Sequence, residues 1–398
     1  MKRDPRLLEA ALADLERQNL KRVRTTVEAF TQPGSRVQQL SGSRRLIDFS
    51  SNDYLGLARH PDITAAACAA AEKWGIGSGA SHLVTGHGVE HSLLEEALAE
   101  FTGRERALVF STGYMANLAI LTSLAGRRET VILDRLSHAS LIDAGLLSGA
   151  RFKRYAHCGA LAADRLLASA AANAAVVATD GVFSMDGDLA PLPELAQSCR
   201  THGAWLVVDD AHGLGVVGNS GRGSVEQFGL GAAEVPILMG TLGKAFGTFG
   251  AFVAGSAQLC EFLLQKARPY IYTTALPQPI AAAARKAIEI AQRESWRRER
   301  VLSHAQRFRK AASQAGIPLG ASPTPIQPVM LASASSALQA QRELDAAGFL
   351  VIAIRPPTVP RGSSRLRVTF SAEHTEEQVD SLVDALSRIC ARRKALAE

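Results

Sequence analysis

Lys244 is the one charged residue in "MGTLGKAFGTFG" (239–250), where four glycines and two threonines surround it. An amine held among apolar groups has a depressed pKa, and such a lysine suits Schiff-base chemistry with a carbonyl. The same glycines also fit a phosphate-cradling turn with Lys244 as counter-charge, although the GxxxxGK[ST] spacing of a P-loop is missing. Upstream, "WLVVDDAHG" (205–213) runs a buried-strand pattern straight into Asp209 and Asp210, with His212 close behind. A carboxylate there costs on the order of several kcal/mol to desolvate unless a cation or hydrogen-bond donors meet it. Capping of the next turn is the plainer use of either acid.

Two other stretches join them. "STGYMAN" (111–117) follows the apolar run "ALVF" and opens a helix, so free backbone N–H groups and the positive end of the helix dipole make an anion site. An N-cap without a ligand is the alternative there. "DRLSHASL" (134–141) sets His138 after "TVILD", where a helix starts, and a lone histidine at that position can equally be an ordinary loop residue.

The elements that position these groups alternate between residues 107 and 255. Short β-branched runs ("ALVF", "TVILD", "RFKRYA", "AAVVATDGV", "AWLVVDDAHG", "PILMGTLG", "AFVAG") are separated by helical patterns such as "STGYMANLAILTSLA" and "PLPELAQSCRTHG". That alternation predicts a doubly wound α/β domain, a mostly parallel sheet covered on both faces, with ligands at the carboxyl ends of its strands. After "YIYTTALPQP" the texture changes to long helical runs with few strands, a small α+β domain. The expected division is an N-terminal helix with a short strand segment (1–55), a large α/β domain (56–277) and the small domain (278–398).

With 398 residues, 47% hydrophobic and 21% charged, the chain has ample material for a large core and two or three domains. The net charge of +6 is spread among acidic residues, which argues against a nucleic-acid arm and allows anionic small molecules. Five cysteines in no CxxC spacing suggest neither a disulfide framework nor a metal site. The N-terminal stretch reads as an amphipathic helix without a signal-peptide core, and the expected location is cytoplasmic.

Taken together, an anion cradle, a Schiff-base lysine, a carboxylate and two histidines at strand ends of one sheet fit pyridoxal 5'-phosphate. The aldehyde needs the lysine, the phosphate needs helix N–H donors, and the ring nitrogen needs a carboxylate to hold its proton.

The chain resembles the α-oxoamine synthase family of fold-type I pyridoxal phosphate enzymes. The resemblance rests on "SSNDYLGL", "GSGASHLVTGH", "STGYMAN", "DRLSHASL", "DGVFSMDGD", "VDDAHGLGVVG", "TLGKAFG", "IYTTALP" and "IRPPTVP", in the family's order. It implies that Lys244 carries the cofactor, Asp209 pairs with the ring nitrogen, His212 meets the phenolic oxygen and His138 stacks on the ring and has a catalytic part. It implies further cofactor contacts from Ser184, Thr241, Gly113 and Tyr114, and from Thr273 and Thr274 across a homodimer interface. For substrates it points to Asn52 and Arg367 at the amino-acid carboxylate, and to Thr358 with an N-terminal basic residue at the acyl group. Arg22 is the choice in "NLKRVRTT", with Lys21 and Arg24 as alternatives. L-Alanine and a pimeloyl thioester, on CoA or an acyl carrier protein, are the expected substrates. Relatives that use glycine or serine with other acyl groups share most of these motifs. An aminotransferase would share the lysine and the aspartate without needing a thioester.

Overall fold

Runs such as "ALVF", "VIL" and "LVV" have no polar alternation, so strands built from them are stable only where both faces are covered. The computed structural model describes residues 6–24, 26–29, 36–39, 44–170 and 175–395. Contacts gather the chain into two units, one of residues 52–184 and 188–301, the other of residues 1–51, 185–187 and 302–398.

In the second of these, β1 (Val27–Ala29), β2 (Arg36–Gln39) and β3 (Arg44–Asp48) follow a helix over Arg6–Arg17. In the first, the strands are β4 (Arg106–Phe110), β5 (Thr130–Asp134), β6 (Arg151–Tyr155), β7 (Ala175–Asp180), β8 (Trp205–Asp209), β9 (Ile237–Thr241) and β10 (Ala251–Gly255). They form one sheet in the order β4-β10-β9-β8-β7-β5-β6. All neighbours are parallel except β10, which runs antiparallel to both β4 and β9. The expected mostly parallel, doubly wound sheet is therefore present. One face is sealed by Leu108, Ile120, Val131, Leu141, Val207 and Val253, the other by Ile132, Val177, Leu195, Leu206, Val208 and Leu238, all essentially inaccessible to solvent.

The helix Gln278–Arg293 buries Ala281 to Ala284, Ala287 and Ile288 and packs on the helices Pro61–Trp74 and Val89–Thr102. Residues 278–301 thus belong with the sheet-bearing unit, whereas the change of texture in the sequence falls at 277/278. The long helical run breaks at Glu294, and a second helix covers Ser295–Gln314.

The smaller unit adds β11 (Ile326–Ala332), β12 (Phe349–Leu350), β13 (Ile352–Ile354) and β14 (Ser364–Thr369). β12 pairs parallel with β3 to complete a sheet of order β1-β2-β3-β12, and β14 is the middle strand of β11-β14-β13. Phe49, buried, packs edge-on to Phe370 at 5.8 Å and stacks on His374 at 4.1 Å. No helix among the described residues is long and apolar enough to cross a membrane.

Candidate active site

Strands β7 and β8 are in register at their carboxyl ends, so that Asp180 and Asp209 stand side by side. Asp209 is 4% exposed. Its Oδ2 accepts a 2.7 Å hydrogen bond from Asn117 Nδ2 and its Oδ1 one of 3.1 Å from the Ala211 N–H. Asn117 lies in the helix Gly113–Leu124, the one "STGYMAN" opens, and Thr112 caps that helix by accepting from the Met115 N–H. Burial, reinforced by the charge of Asp209, raises the pKa of Asp180 well above the carboxylate norm. Asp180 Oδ2 in turn accepts the N–H of His138 at 2.9 Å.

His138 caps the helix Ala139–Leu147, and its Nδ1 lies 2.7 Å from Ser140 Oγ. One side of the residue stays open to solvent while the protein on the other side desolvates the ring and lowers its pKa, with Asp209 pulling the opposite way. Ser140 Oγ also receives the Asn117 amide at 2.8 Å. Asn117 therefore joins the loop of His138 to the carboxylate of Asp209.

Lys244 sits in the loop between the antiparallel strands β9 and β10. Thr241 Oγ1 donates to the Gly250 carbonyl at 3.0 Å and the Leu242 N–H to the same carbonyl at 2.8 Å, which closes the loop at its base. Gly247 has φ +62°, and a Cβ there would lie 2.3 Å from the Ala58 nitrogen, so glycine is required by both conformation and space. Lys244 Nζ is 2.9 Å from Nε2 of His212. His212 is buried, and its Nδ1 is 2.7 Å from Tyr54 Oη.

Asp210, fully buried, accepts the Ser224 N–H at 2.7 Å, and burial outweighs that bond to push its pKa up to about 7. Three glycines enclose it: a Cβ at Gly181, Gly213 or Gly223 would come within 2.6, 2.0 or 1.9 Å of its carboxyl oxygens.

The other expected cofactor contacts in this unit are Ser184, half-buried four residues past Asp180, and Gly113 and Tyr114, which begin the helix at the end of β4. Tyr114 is exposed and donates to Asp143 Oδ2 at 2.5 Å. Thr273 and Thr274 line a small pocket with Ser111, Met115, His82 and Tyr270.

Among the described residues, two clusters have metal-ligating residue types, and in each one histidine has both ring nitrogens engaged. His157 bridges Asp134 (3.0 Å) and Asp188 (2.8 Å). His91 accepts the Gly88 N–H at 2.9 Å and its Nε2 meets the Leu276 carbonyl.

In the smaller unit, Arg367 is 6% exposed on β14. Arg365, two positions along, meets the Asp186 carboxylate, and Ser322 and Thr324 each donate to the Gly187 carbonyl at 3.0 Å. Arg22 donates to Thr358 Oγ1 at 2.9 Å, whereas Lys21 pairs with Glu16 at 3.0 Å.

The larger unit thus gathers the expected residues into two hydrogen-bonded groups, Lys244, His212 and Asn52 with Tyr54 as a further member, and Asp209 and His138 with Asn117, Ser140 and Asp180 as further members. None of the four further members stands out in sequence as chemistry. A lone amide inside the apolar helix pattern "GYMANLAILTSL" and an acid ending a buried strand in "VVATDG" are the signals that could have found Asn117 and Asp180.

These residues suit pyridoxal phosphate on structural grounds. Asp209 is a buried carboxylate held by two donors, placed to meet a cation. A lysine amine in the loop after β9 stands within hydrogen-bond distance of an imidazole in the loop after the neighbouring strand β8.

The model of aminotransferase class I and II matches residues 44–386. An 8-amino-7-oxononanoate synthase of Methylococcus capsulatus is 56% identical over 378 residues, 95% of this chain and 97% of that protein. Among solved structures, a serine palmitoyltransferase of S. paucimobilis with bound PLP–myriocin is 33% identical at TM-score 0.89, with 96% of each chain covered. An 8-amino-7-oxononanoate synthase of Francisella tularensis is 30% identical at TM-score 0.77, over 88% of this chain and 99% of that one.

Proposed function

The chain belongs to the 8-amino-7-oxononanoate synthases within aminotransferase class I and II, and on that footing we propose that it condenses L-alanine with a pimeloyl thioester. The products are 8-amino-7-oxononanoate, the free thiol of CoA or of a carrier protein, and CO2, a step of biotin biosynthesis. The observation that carries this reading is two hydrogen-bonded groups at the carboxyl ends of one sheet, Lys244 with His212 in one and Asp209 with His138 through Asn117 and Ser140 in the other.

Pyridoxal 5'-phosphate, when bound, supplies an aldehyde for the amino group and an electron-withdrawing ring that acidifies the α carbon. Lys244 Nζ would hold its aldehyde and, with alanine in the site, would be the base that takes the Cα proton. Asp209, fixed by Asn117 and the Ala211 N–H, holds the proton on the ring nitrogen. His212 would donate to the phenolic oxygen. His138, whose open side faces solvent, would lie against the bound ring and would steady oxygen charge as the thioester carbonyl is attacked. The N–H groups of Gly113 and Tyr114 serve the phosphate, with Ser184 and Thr241 as further contacts.

Arg367 offers a bidentate grip to the alanine carboxylate, and Asn52 is assigned to the same group. Arg22 and Thr358, hydrogen-bonded to each other, serve the acyl chain. Thr273 and Thr274 reach the partner subunit's phosphate in a homodimer.

The test is a visible spectrum of the purified protein, followed by L-alanine and then pimeloyl-CoA with thiol release monitored. A cofactor band that responds to alanine and a thiol signal that requires the pimeloyl donor support the reading. A response to glycine or serine, with thiol only from another acyl-CoA, moves the chain to a sister activity. Loss of the band and of turnover in Lys244→Ala assigns the lysine.

A further inference from the structure

Tyr54 is 1% exposed, and its hydroxyl touches two other residues of the site. Oη lies 2.7 Å from His212 Nδ1 and 3.2 Å from Asn52 Oδ1. On the far side of the imidazole, Nε2 lies 2.9 Å from Lys244 Nζ. Asn52, Tyr54, His212 and Lys244 are thus linked in series by three contacts.

The loop that carries Tyr54 is tightly held. Asp53 accepts the N–H groups of Leu57 (2.8 Å) and Ala58 (3.1 Å), and the buried Arg297 donates to the Leu55 carbonyl at 2.9 Å. Its residues 57 and 58 are the backbone that leaves no room for a side chain at Gly247, so the Tyr54 loop and the Lys244 loop are packed directly on each other. The series is built on two mutually braced loops.

Proton counting gives the series a direction. A phenol has one O–H to donate, and a neutral imidazole has one N–H and one bare nitrogen. The Asn52 carbonyl oxygen only accepts, so the Tyr54 proton goes to it. Oη must then accept from His212, which puts the imidazole proton on Nδ1. That leaves Nε2 bare to accept from the Lys244 amine, and each of the three contacts has one donor and one acceptor. The reverse tautomer would set Nε2–H against the N–H groups of a lysine ammonium.

We propose that Tyr54 is a positioning residue that dictates which ring nitrogen of His212 carries the proton, and so couples Asn52 to Lys244. When a group that only accepts hydrogen bonds replaces the ammonium beside Nε2, His212 must donate there, Nδ1 must accept, and the Tyr54 O–H turns from Asn52 to His212. Asn52 is thereby released from Tyr54 at the moment His212 changes role. For turnover this inference rests on the function proposed above; for the tautomer it rests on the three contacts alone.

The experiment is ring 15N NMR of the full-length protein labelled at histidine, with and without cofactor, the His212 signal being assigned by its loss in His212→Gln. Without cofactor, His212 is expected as the Nδ1–H tautomer. In a Lys244→Ala background, where no ammonium holds Nε2 bare, Tyr54→Phe, which keeps the ring and its packing, and Asn52→Ala, which frees the Tyr54 O–H for Nδ1, are both expected to move the population to Nε2–H. A wild-type signal from Nε2–H, or in the Lys244→Ala background a Tyr54→Phe signal indistinguishable from that of Lys244→Ala alone, overturns the proposal. In the loaded enzyme Tyr54→Phe should lower kcat about tenfold with KM for the amino acid unchanged, and the loss should vanish when His212 is already Gln. A loss that persists in the His212→Gln background makes Tyr54 a packing residue. An enzyme that condenses other substrates would sink the function reading and leave the NMR result standing.

Discussion

Asn117 Nδ2 lies 2.7 Å from Asp209 Oδ2 and 2.8 Å from Ser140 Oγ, so one buried amide ties a strand-end carboxylate to the helix that His138 caps. A hydrogen bond to a charged group contributes roughly 1.5–3 kcal/mol. Asn117→Leu, close in size but without a donor, is therefore expected to lower turnover about tenfold or more. Asp209→Asn removes the charge itself and should cost at least about 100-fold, the scale on which a single electrostatic group acts in catalysis. Steady-state kinetics at saturating cofactor rank the two, and equal losses would remove Asn117 from its supporting role.

His157 gives a pH prediction. Burial of the ring disfavours its charge, but the hydrogen bonds to Asp134 and Asp188 outweigh that and push its pKa up to about 12. The folded pKa lies above the unfolded one, so the stabilisation is complete below about pH 6.5 and is lost as the pH climbs toward the folded value. Denaturant unfolding of the wild type should weaken between pH 7 and 10 by up to about 1.4 kcal/mol per pH unit more than His157→Gln does. Parallel pH profiles for the two proteins would show that the bridge carries no net charge.

Gly223 has φ +89°, and a Cβ there would lie 1.9 Å from Asp210 Oδ2. Gly223→Ala should destabilise the fold by about 1–3 kcal/mol through backbone strain and displacement of the carboxyl. Calorimetry reads it directly. Gly203→Ala, at a φ of +62° with nothing within 4 Å, supplies the strain without the collision and should cost less.

Arg367→Lys keeps the charge and discards the planar fork. KM for alanine should rise about tenfold or more, the cost of a charge-assisted hydrogen bond, with kcat much less affected. An unchanged KM would place the carboxylate elsewhere.

The α/β sheet was legible because strands covered on both faces must be continuously apolar, and "TVILD" and "WLVVD" are. The site was legible where a polar residue interrupts such a run at its end, as at Asp209, or where a lysine is stranded among glycines, as at Lys244. Tyr54 was not, because an aromatic in a loop reads as core, and only the fold brings it to His212 across 158 positions of chain. The pairing of β12 with β3 was equally out of reach, since both are short and their register depends on residues some 300 apart. The division between units escaped the sequence for a related reason. An amphipathic helix such as Gln278–Arg293 announces that it has a buried face without saying which body will cover it.

The antiparallel strand β10 lies between β4 and β9, the strands that lead to the helix N-terminus at Gly113 and to the Lys244 loop. Because β10 reverses direction twice over, β4 and β9 point the same way and deliver both groups to one edge, two inter-strand spacings or about 10 Å apart. The inserted strand acts as a ruler for any ligand that must touch both. The loop from Leu242 to Gly250 is the adjustable end of that ruler: its length can change how far the amine reaches while the sheet that sets the scale stays as it is.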